Sequence, residues 1–253
     1  MLTKNQAKRI HSLGNKKYRD RYKEFVVEGD KTVKELINSD LQITGLFATS
    51  AWIKKHSGII PENCNIIPVT ETQLKNISRQ TTPNQVLAVV KIPEQNKIPT
   101  PQNELLLVLD GIQDPGNMGS ILRTADWFGI QNIVCSEDTV DLYNPKVIQA
   151  TMGSFCRVAV SYTNIVDYLG LYKNQVPVYG AFLNGENAFK KEFQENAILV
   201  LGNESNGISK EVSDCISCKI TIPPFNPNRE KKSESLNASA SGAILMALFR
   251  MKK

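Results

Sequence analysis

The stretch ELLLVLDGIQDPGNMGSILRTADWFG, Glu104 to Gly129, decides the fold. It opens on an unbroken apolar run, Leu105 to Leu109. A strand covered on both faces reads this way, so it belongs inside a mostly parallel sheet with helices on both sides. Glycine and proline then break the run. Asp114 is placed as an N-cap and Pro115 as the first helical residue, which predicts a helix over 115–128. On that helix Met118, Ile121, Leu122, Ala125 and Phe128 form the stripe that faces the sheet. Arg123 lies off the stripe, one turn after Gly119. Two readings fit it: bare backbone beside the guanidinium lets another molecule approach, or the arginine is simply exposed beside helix-end glycines.

Outward from this segment the alternation continues. Toward the C-terminus, QNIVCS, FCRVAVSY, VPVYGAFL, NAILVLGN and CKITIPPF read as strands, with helices near 144–151, 164–174, 187–194, 209–217 and 236–250. Toward the N-terminus, EFVVEG, LQITGLFAT, CNIIPVT and QVLAVVKI alternate with helical KTVKELINS, SAWIKKHSG and ETQLKNIS. The proline-containing stretch at 94–103 suits a surface linker. The expected organisation is an α/β chain with a small domain over 1–93, the linker, and a larger domain over 104–253.

Composition narrows the classes. No apolar run approaches the ~18–20 residues that cross a bilayer, and the basic N-terminus lacks the apolar core of a secretory signal. No membrane partner is expected. Five cysteines, an odd number in a chain of 253 residues, suggest reduced thiols and a cytoplasmic location. Cys215 and Cys218 form a lone CxxC without a second pair or a histidine pair, so no metal is expected. The net charge of +5 is uneven: residues 1–103 carry +7 and residues 104–253 carry −2. Within residues 1–23, Lys8, Arg9, Lys16, Lys17, Arg19 and Arg21 are candidate RNA contacts, with Tyr18 and Tyr22 interleaved for stacking. The plain alternative is a solvated helix face.

In parallel sheets ligands sit at the carboxyl ends of the strands. Three segments there carry polar residues: 110–123, 201–209 and 222–239. None holds GxGxxG or GxxxxGK[ST], which argues against a dinucleotide or nucleoside-triphosphate site. Glu204, between Gly202 and Gly207, either bonds amides or an arginine, or sits in a plain turn with Ser209 capping the next helix. Ser235 and Asn237 stand where the last helix begins, as caps or as ligand-binding groups.

Taken in order, NMGSILR, LGNESNGIS and IPP followed by ESLNAS resemble the three motifs of the SpoU/TrmH family of SPOUT-class RNA ribose 2′-O-methyltransferases, over residues 104–250. The resemblance implies a trefoil-knotted domain, S-adenosylmethionine as cofactor and a homodimer. By motif position it places Gly202, Ile222 and Leu236 against the cofactor, and Asn117, Arg123, Glu204, Ser235 and Asn237 around the reacting groups. KKYRDRYKEFVVEGDKTVKE and ISRQTTPNQVLAVV resemble the substrate-binding domain that precedes the catalytic one in this family. One departure is the loop NPNREKK, longer than the family's, whose Arg229, Lys231 and Lys232 either touch RNA or are solvated.

Methyl transfer to a ribose hydroxyl is an in-line displacement that needs alignment and loss of a proton. The only histidines, His11 and His56, lie in the first domain. The resemblance nominates Arg123. Because arginine as a residue type holds its proton above pH ~12, the preferred role is to hold the target phosphate and stabilise the forming alkoxide, with proton removal as the other option. The implied substrate is RNA, with 23S ribosomal RNA ahead of transfer RNA. The rivals are an RNA-binding protein without catalysis and, last, a nucleotide-binding α/β enzyme.

Overall fold

The structure is a computed structural model and describes residues 2–80, 82, 84–94, 98–102, 104–225 and 235–251. The chain forms two compact units, Met1–Gln95 with Asp141–Arg157, and Asn96–Val140 with Val158–Lys253.

In the first unit α1 (Lys4–Ser12) starts behind Thr3. Its hydroxyl accepts from the Gln6 amide while the Gln6 side chain accepts from the Thr3 amide, a reciprocal cap. Then follow α2 (Lys16–Tyr22), β1 (Glu24–Glu28), α3 (Asp30–Ile37), β2 (Ile43–Ala48), α4 (Ser50–His56), β3 (Ile66–Pro68), α5 (Glu71–Ile77) and β4 (Val86–Lys91). The sheet order is β1-β4-β2-β3, with β4 antiparallel to both its neighbours and β3 parallel to β2. Val26, Phe47, Leu87 and Val89 on one face of this sheet pack with Ile10, Leu13, Leu74 and Ile77.

The second half begins with β5 (Leu105–Asp110), α6 (Pro115–Trp127) and β6 (Asn132–Cys135). Next come α7 (Pro145–Thr151) and a 3-10 turn, Ser154–Cys156, which belong to the first unit. There Phe25 lies 4.5 Å from Tyr143 and 6.0 Å from Phe155 between ring centroids, and Arg157 pairs with Glu35 at 2.6 Å. The second unit resumes with β7 (Ala159–Tyr162), α8 (Ile165–Tyr172), β8 (Val178–Asn187), β9 (Ala197–Gly202), α9 (Lys210–Ser213), β10 (Cys218–Thr221) and α10 (Ala238–Arg250).

The second sheet runs β10-β8-β9-β5-β6-β7 and every pairing is parallel. β5 lies inside it and is buried along its whole length, which is why it reads as one apolar run. Leu106, Val108, Ile198 and Val200 pack against Leu169 of α8 and Val212 of α9. The strand period turns Leu105, Leu107, Leu109 and Leu201 to the other face. There α10 comes so close that a Cβ at Gly242 would lie 2.8 Å from Leu201 Cδ1. Helices therefore cover both faces.

Two expected helices are shorter than their periodicity suggests. Over 187–194 only a 3-10 turn forms, Ala188–Lys190, and the chain is extended again at Lys191. Phe193, whose spacing reads as helical, instead packs on Phe249 and Tyr179 at 4.1 and 5.3 Å. The helix expected over 209–217 is the single turn α9, and Ser209 makes no side-chain capping bond to it. No helix among the described residues is long and apolar enough to cross a membrane.

Candidate active site

The site is built where β5 and β9 end side by side, with Asp110 in register with Gly202. After β5 the chain turns through Gly111, at φ +67°, into α6. Asp114 caps that helix by accepting the Asn117 amide at 2.8 Å, with Pro115 at the first position. Met118, Ile121, Leu122 and Ala125 are fully buried, which leaves Arg123 on the open side. After β9 the chain curls into the loop that carries Glu204.

These two elements and α10 meet in one hydrogen-bonded relay. Asn237 Nδ2 donates to Asn117 Oδ1 at 2.8 Å, and Asn117 Nδ2 donates to Glu204 Oε1 at 2.9 Å. Glu204 also accepts, at 3.4 Å each, from the amides of Gln113 and Asp114. The Asn237 carboxamide oxygen caps α10 by accepting from Ser239 and Ala240. Both amide groups are thereby fixed in orientation. At the far end of α10, Arg250 donates to the carbonyls of Phe128 and Gly129, just past the end of α6. α6 and α10 thus run side by side in the same direction. Their positive N-terminal ends converge on the relay, where the Glu204 carboxylate complements them.

Of the residues expected at the site, Asn117, Glu204 and Asn237 are brought into direct contact. Arg123 is exposed just over two turns along α6 and makes no hydrogen bond or ion pair among the described residues. Gly119, expected to leave bare backbone beside it, lies on the covered side of α6 and is buried; Gly116 is the exposed glycine. Gly202 has a structural reason of its own, because a Cβ there would sit 2.3 Å from Gly207 C and Ile208 N. Ile222 follows β10 and is half-buried, while Ser235 and Leu236 are exposed immediately before α10. Arg229, Lys231 and Lys232 lie outside the described residues. Nothing in the sequence marks Asp110, Gly111 or Asn203 for the site beyond their places at the end of a strand or just after one.

Among the described residues no group of three His, Cys, Asp or Glu side chains is arranged to hold a metal. In the CxxC, Cys215 is buried. Burial and the Glu186 carboxylate, 3.3 Å from its sulfur, push the Cys218 thiol pKa up, away from the thiolate that metals take.

In the first unit Lys8, Lys16, Lys17 and Arg21 are exposed. Arg9 pairs with Glu24 at 2.6 Å and lies over the Tyr22 ring. Arg19 is a correction to the expected RNA contacts. It is 3% exposed, with Nε and Nη2 donating to Asp141 Oδ2 at 3.0 and 2.5 Å and Nη1 to the Leu13 carbonyl at 2.9 Å. Buried and paired with Asp141, it presents no open guanidinium face to a polyanion.

Known proteins resemble this chain in sequence and fold. A family model described as the SpoU rRNA Methylase family matches residues 104–247, and one described as the MRM3-like substrate binding domain matches residues 4–88. The chain is 28% identical to the 23S rRNA (guanosine(2553)-2′-O)-methyltransferase RlmP of Bacillus subtilis, over 98% of this chain and 97% of that one. A candidate RNA methyltransferase of the TrmH family from Porphyromonas gingivalis is 40% identical, with a TM-score of 0.88 over 99% of this chain and 98% of that one. An AdoMet-bound rRNA methyltransferase from Sinorhizobium meliloti is 25% identical, with a TM-score of 0.85 over 99% and 95% of the two chains. The three strand-end motifs, joined in one relay and matched by the family model over more than half of the chain, show that this chain belongs to the SpoU rRNA methylase family.

Proposed function

We propose that this chain transfers a methyl group from S-adenosylmethionine to a ribose 2′-hydroxyl of ribosomal RNA, within 23S RNA. The carrying observation is the relay from Asn237 through Asn117 to Glu204, which assembles three distant segments at the carboxyl ends of one parallel sheet. The near full-length likeness to a 23S rRNA 2′-O-methyltransferase supports the choice of RNA.

The residues present fit an adenosine-bearing cofactor. Half-buried Ile222 and Leu236, 51% exposed, offer apolar surface, and Gly202 ends β9 as bare backbone in register with Asp110. Ile222, Leu236 and Gly202 would hold it. When bound, S-adenosylmethionine supplies an electrophilic methyl on a sulfonium. Arg123, with its guanidinium unspent, holds the target phosphate and stabilises the alkoxide as the hydroxyl proton passes to solvent water. Asn117, held between Glu204 and Asn237, orients groups at the head of α6, and Ser235 stands at the same helix entrance.

The first unit binds RNA through Lys8, Lys16, Lys17 and Arg21, whose exposure supports that role, while the second unit is catalytic. A homodimer is supported by the line Ala240, Ile244, Leu248 and Met251 along α10, with Trp127 84% exposed at the end of the neighbouring α6. The return of α10 to β9 after β10 fits a knotted path. Reduced thiols at Cys64, Cys135, Cys215 and Cys218 suit the cytoplasm.

The test is tritium transfer from S-adenosyl-[methyl-³H]methionine to RNA from cells lacking the protein. Label in 23S RNA that survives digestion as a 2′-O-methylnucleotide is the expected result. Label confined to transfer RNA, or none at all, sinks the reading.

A further inference from the structure

Asp110 ends β5 and is 8% exposed, although it is a carboxylate at the mouth of the sheet. A buried carboxylate has to be met by donors. Its Oδ2 accepts the Ser209 amide at 2.7 Å. Ser209 stands at the N-cap of α9, but its own side chain makes no capping bond, so the tie to this turn comes from 99 residues upstream. One residue beyond Asp110, the Gly111 carbonyl accepts from Asn203 Nδ2 at 2.6 Å. The segment Gly202–Ser209 is therefore fastened at both ends to two consecutive residues where β5 finishes.

Between these ties the loop closes on itself. Asn203 and Gly207 exchange two backbone bonds of 2.9 Å, and Asn203 Oδ1 accepts from the Ser205 and Asn206 amides. The curl is tight enough that Gly202 tolerates no Cβ. Glu204 projects from this curl to Asn117 and to the amides that open α6. The β5 side is braced in turn, since the Gly111 amide donates to Ser136 Oγ at 2.8 Å and a Cβ at Gly111 would lie 3.1 Å from Asp138 Oδ2.

We infer that Asp110 is a positioning residue for methyl transfer. By holding the Ser209 amide it closes the Gly202–Ser209 loop into the shape that presents Gly202 to the cofactor and Glu204 to Asn117. It acts through the loop: without the latch, cofactor binding itself has to close the loop, so the effect falls on affinity, and at saturation the loop is closed and the chemical step proceeds. The cofactor's identity rests on the proposed function, whereas the latch rests on the bonds alone. A bond to an ionised acceptor is about twice as strong as a neutral one, so Asp110→Asn keeps an acceptor in place with a weaker tie and Asp110→Ala keeps none.

Two measurements test this on the full chain: hydrogen exchange of the cofactor-free protein, and calorimetric binding of S-adenosylmethionine with turnover measured in parallel. In Asp110→Ala the peptide over 203–210 should exchange faster, by about tenfold or more, while β6 and α8 keep their protection. Kd and KM for S-adenosylmethionine should rise by a similar factor, with kcat at saturation changed by less than about twofold, and Asp110→Asn should recover most of the loss. Ser209→Pro removes the donor instead, at a φ of −60° that proline accepts, and should reproduce the same signature without adding to Asp110→Ala in the double variant. Wild-type exchange and affinity in Ser209→Pro, or a fall in kcat at unchanged KM in Asp110→Ala, overturn the inference. Wild-type protein that fails to bind S-adenosylmethionine overturns the proposed function, and the exchange rates then decide the latch by themselves.

Discussion

Arg19 on α2 is 3% exposed and has given its donors to Asp141 and to the Leu13 carbonyl. Arg123 on α6 is exposed and, among the described residues, gives its donors to nothing. The two differ in what meets the guanidinium. A charge taken out of water has to be paired or it destabilises the fold, so Arg19 is committed to holding Asp141 within the first unit. A charge left in water is free to meet a phosphate in the planar fork geometry that suits it. A run of basic residues is therefore no direct measure of a binding surface. The N-terminal segment offers less than its composition suggests, because Arg9 is also paired, with Glu24.

The largest test of this contrast is Arg123→Ala. Turnover should fall by about 100- to 1000-fold, the scale for losing one group that stabilises developing charge. Thermal stability should stay within about 0.5 kcal/mol, as for an exposed substitution, and S-adenosylmethionine affinity should not change. Methylation at near wild-type rate would remove Arg123 from the mechanism. Arg19→Ala should do the reverse, lowering unfolding free energy by about 3 kcal/mol in a urea titration while the folded fraction keeps its turnover. That figure sits at the low end for a broken buried pair because the Asp141 side chain is 18% exposed and also accepts from the Tyr143 amide. A variant as stable as the wild type would break the comparison.

Much of the second unit is legible because its signals are local. β5 announces itself through burial on both faces, and α6 through Asp114, Pro115 and a stripe of which Met118, Ile121, Leu122 and Ala125 are buried while Phe128, at the helix end, is half-buried. The site is legible as three separate segments and no further. Asn117 meets Glu204 across 87 residues and Asn237 across 120, and no periodicity records such contacts. The same distance hides Asp110, whose partner is an amide, and Arg19, whose partner lies 122 residues away. The 187–194 segment misleads for a related reason: Phe193 has helical spacing but is held by Tyr179 and Phe249 from other elements.

Tyr143 gives a finer probe of the Arg19 pair. Its ring packs 4.5 Å from Phe25, and burial first, then the nearby Asp141 charge, push the phenol from 10.0 up to about 12. Between those values the unfolded chain has lost this proton and the folded one has kept it, so stability falls as pH rises and is fully present below pH 10. The loss is about 2 kcal/mol, taken slightly below the full shift for residual solvent contact, and Tyr143→Phe should remove it from a series of alkaline urea titrations. Arg19 enters through Asp141. While the guanidinium is in place it offsets part of the carboxylate's field at the phenol, and in Arg19→Ala that field stands alone. The difference in phenolate absorbance between Arg19→Ala and its Tyr143→Phe counterpart should then titrate at higher pH than in the parent pair. An unmoved midpoint would mean that Arg19 only fills space beside Asp141, and the contrast with Arg123 would reduce to burial without charge.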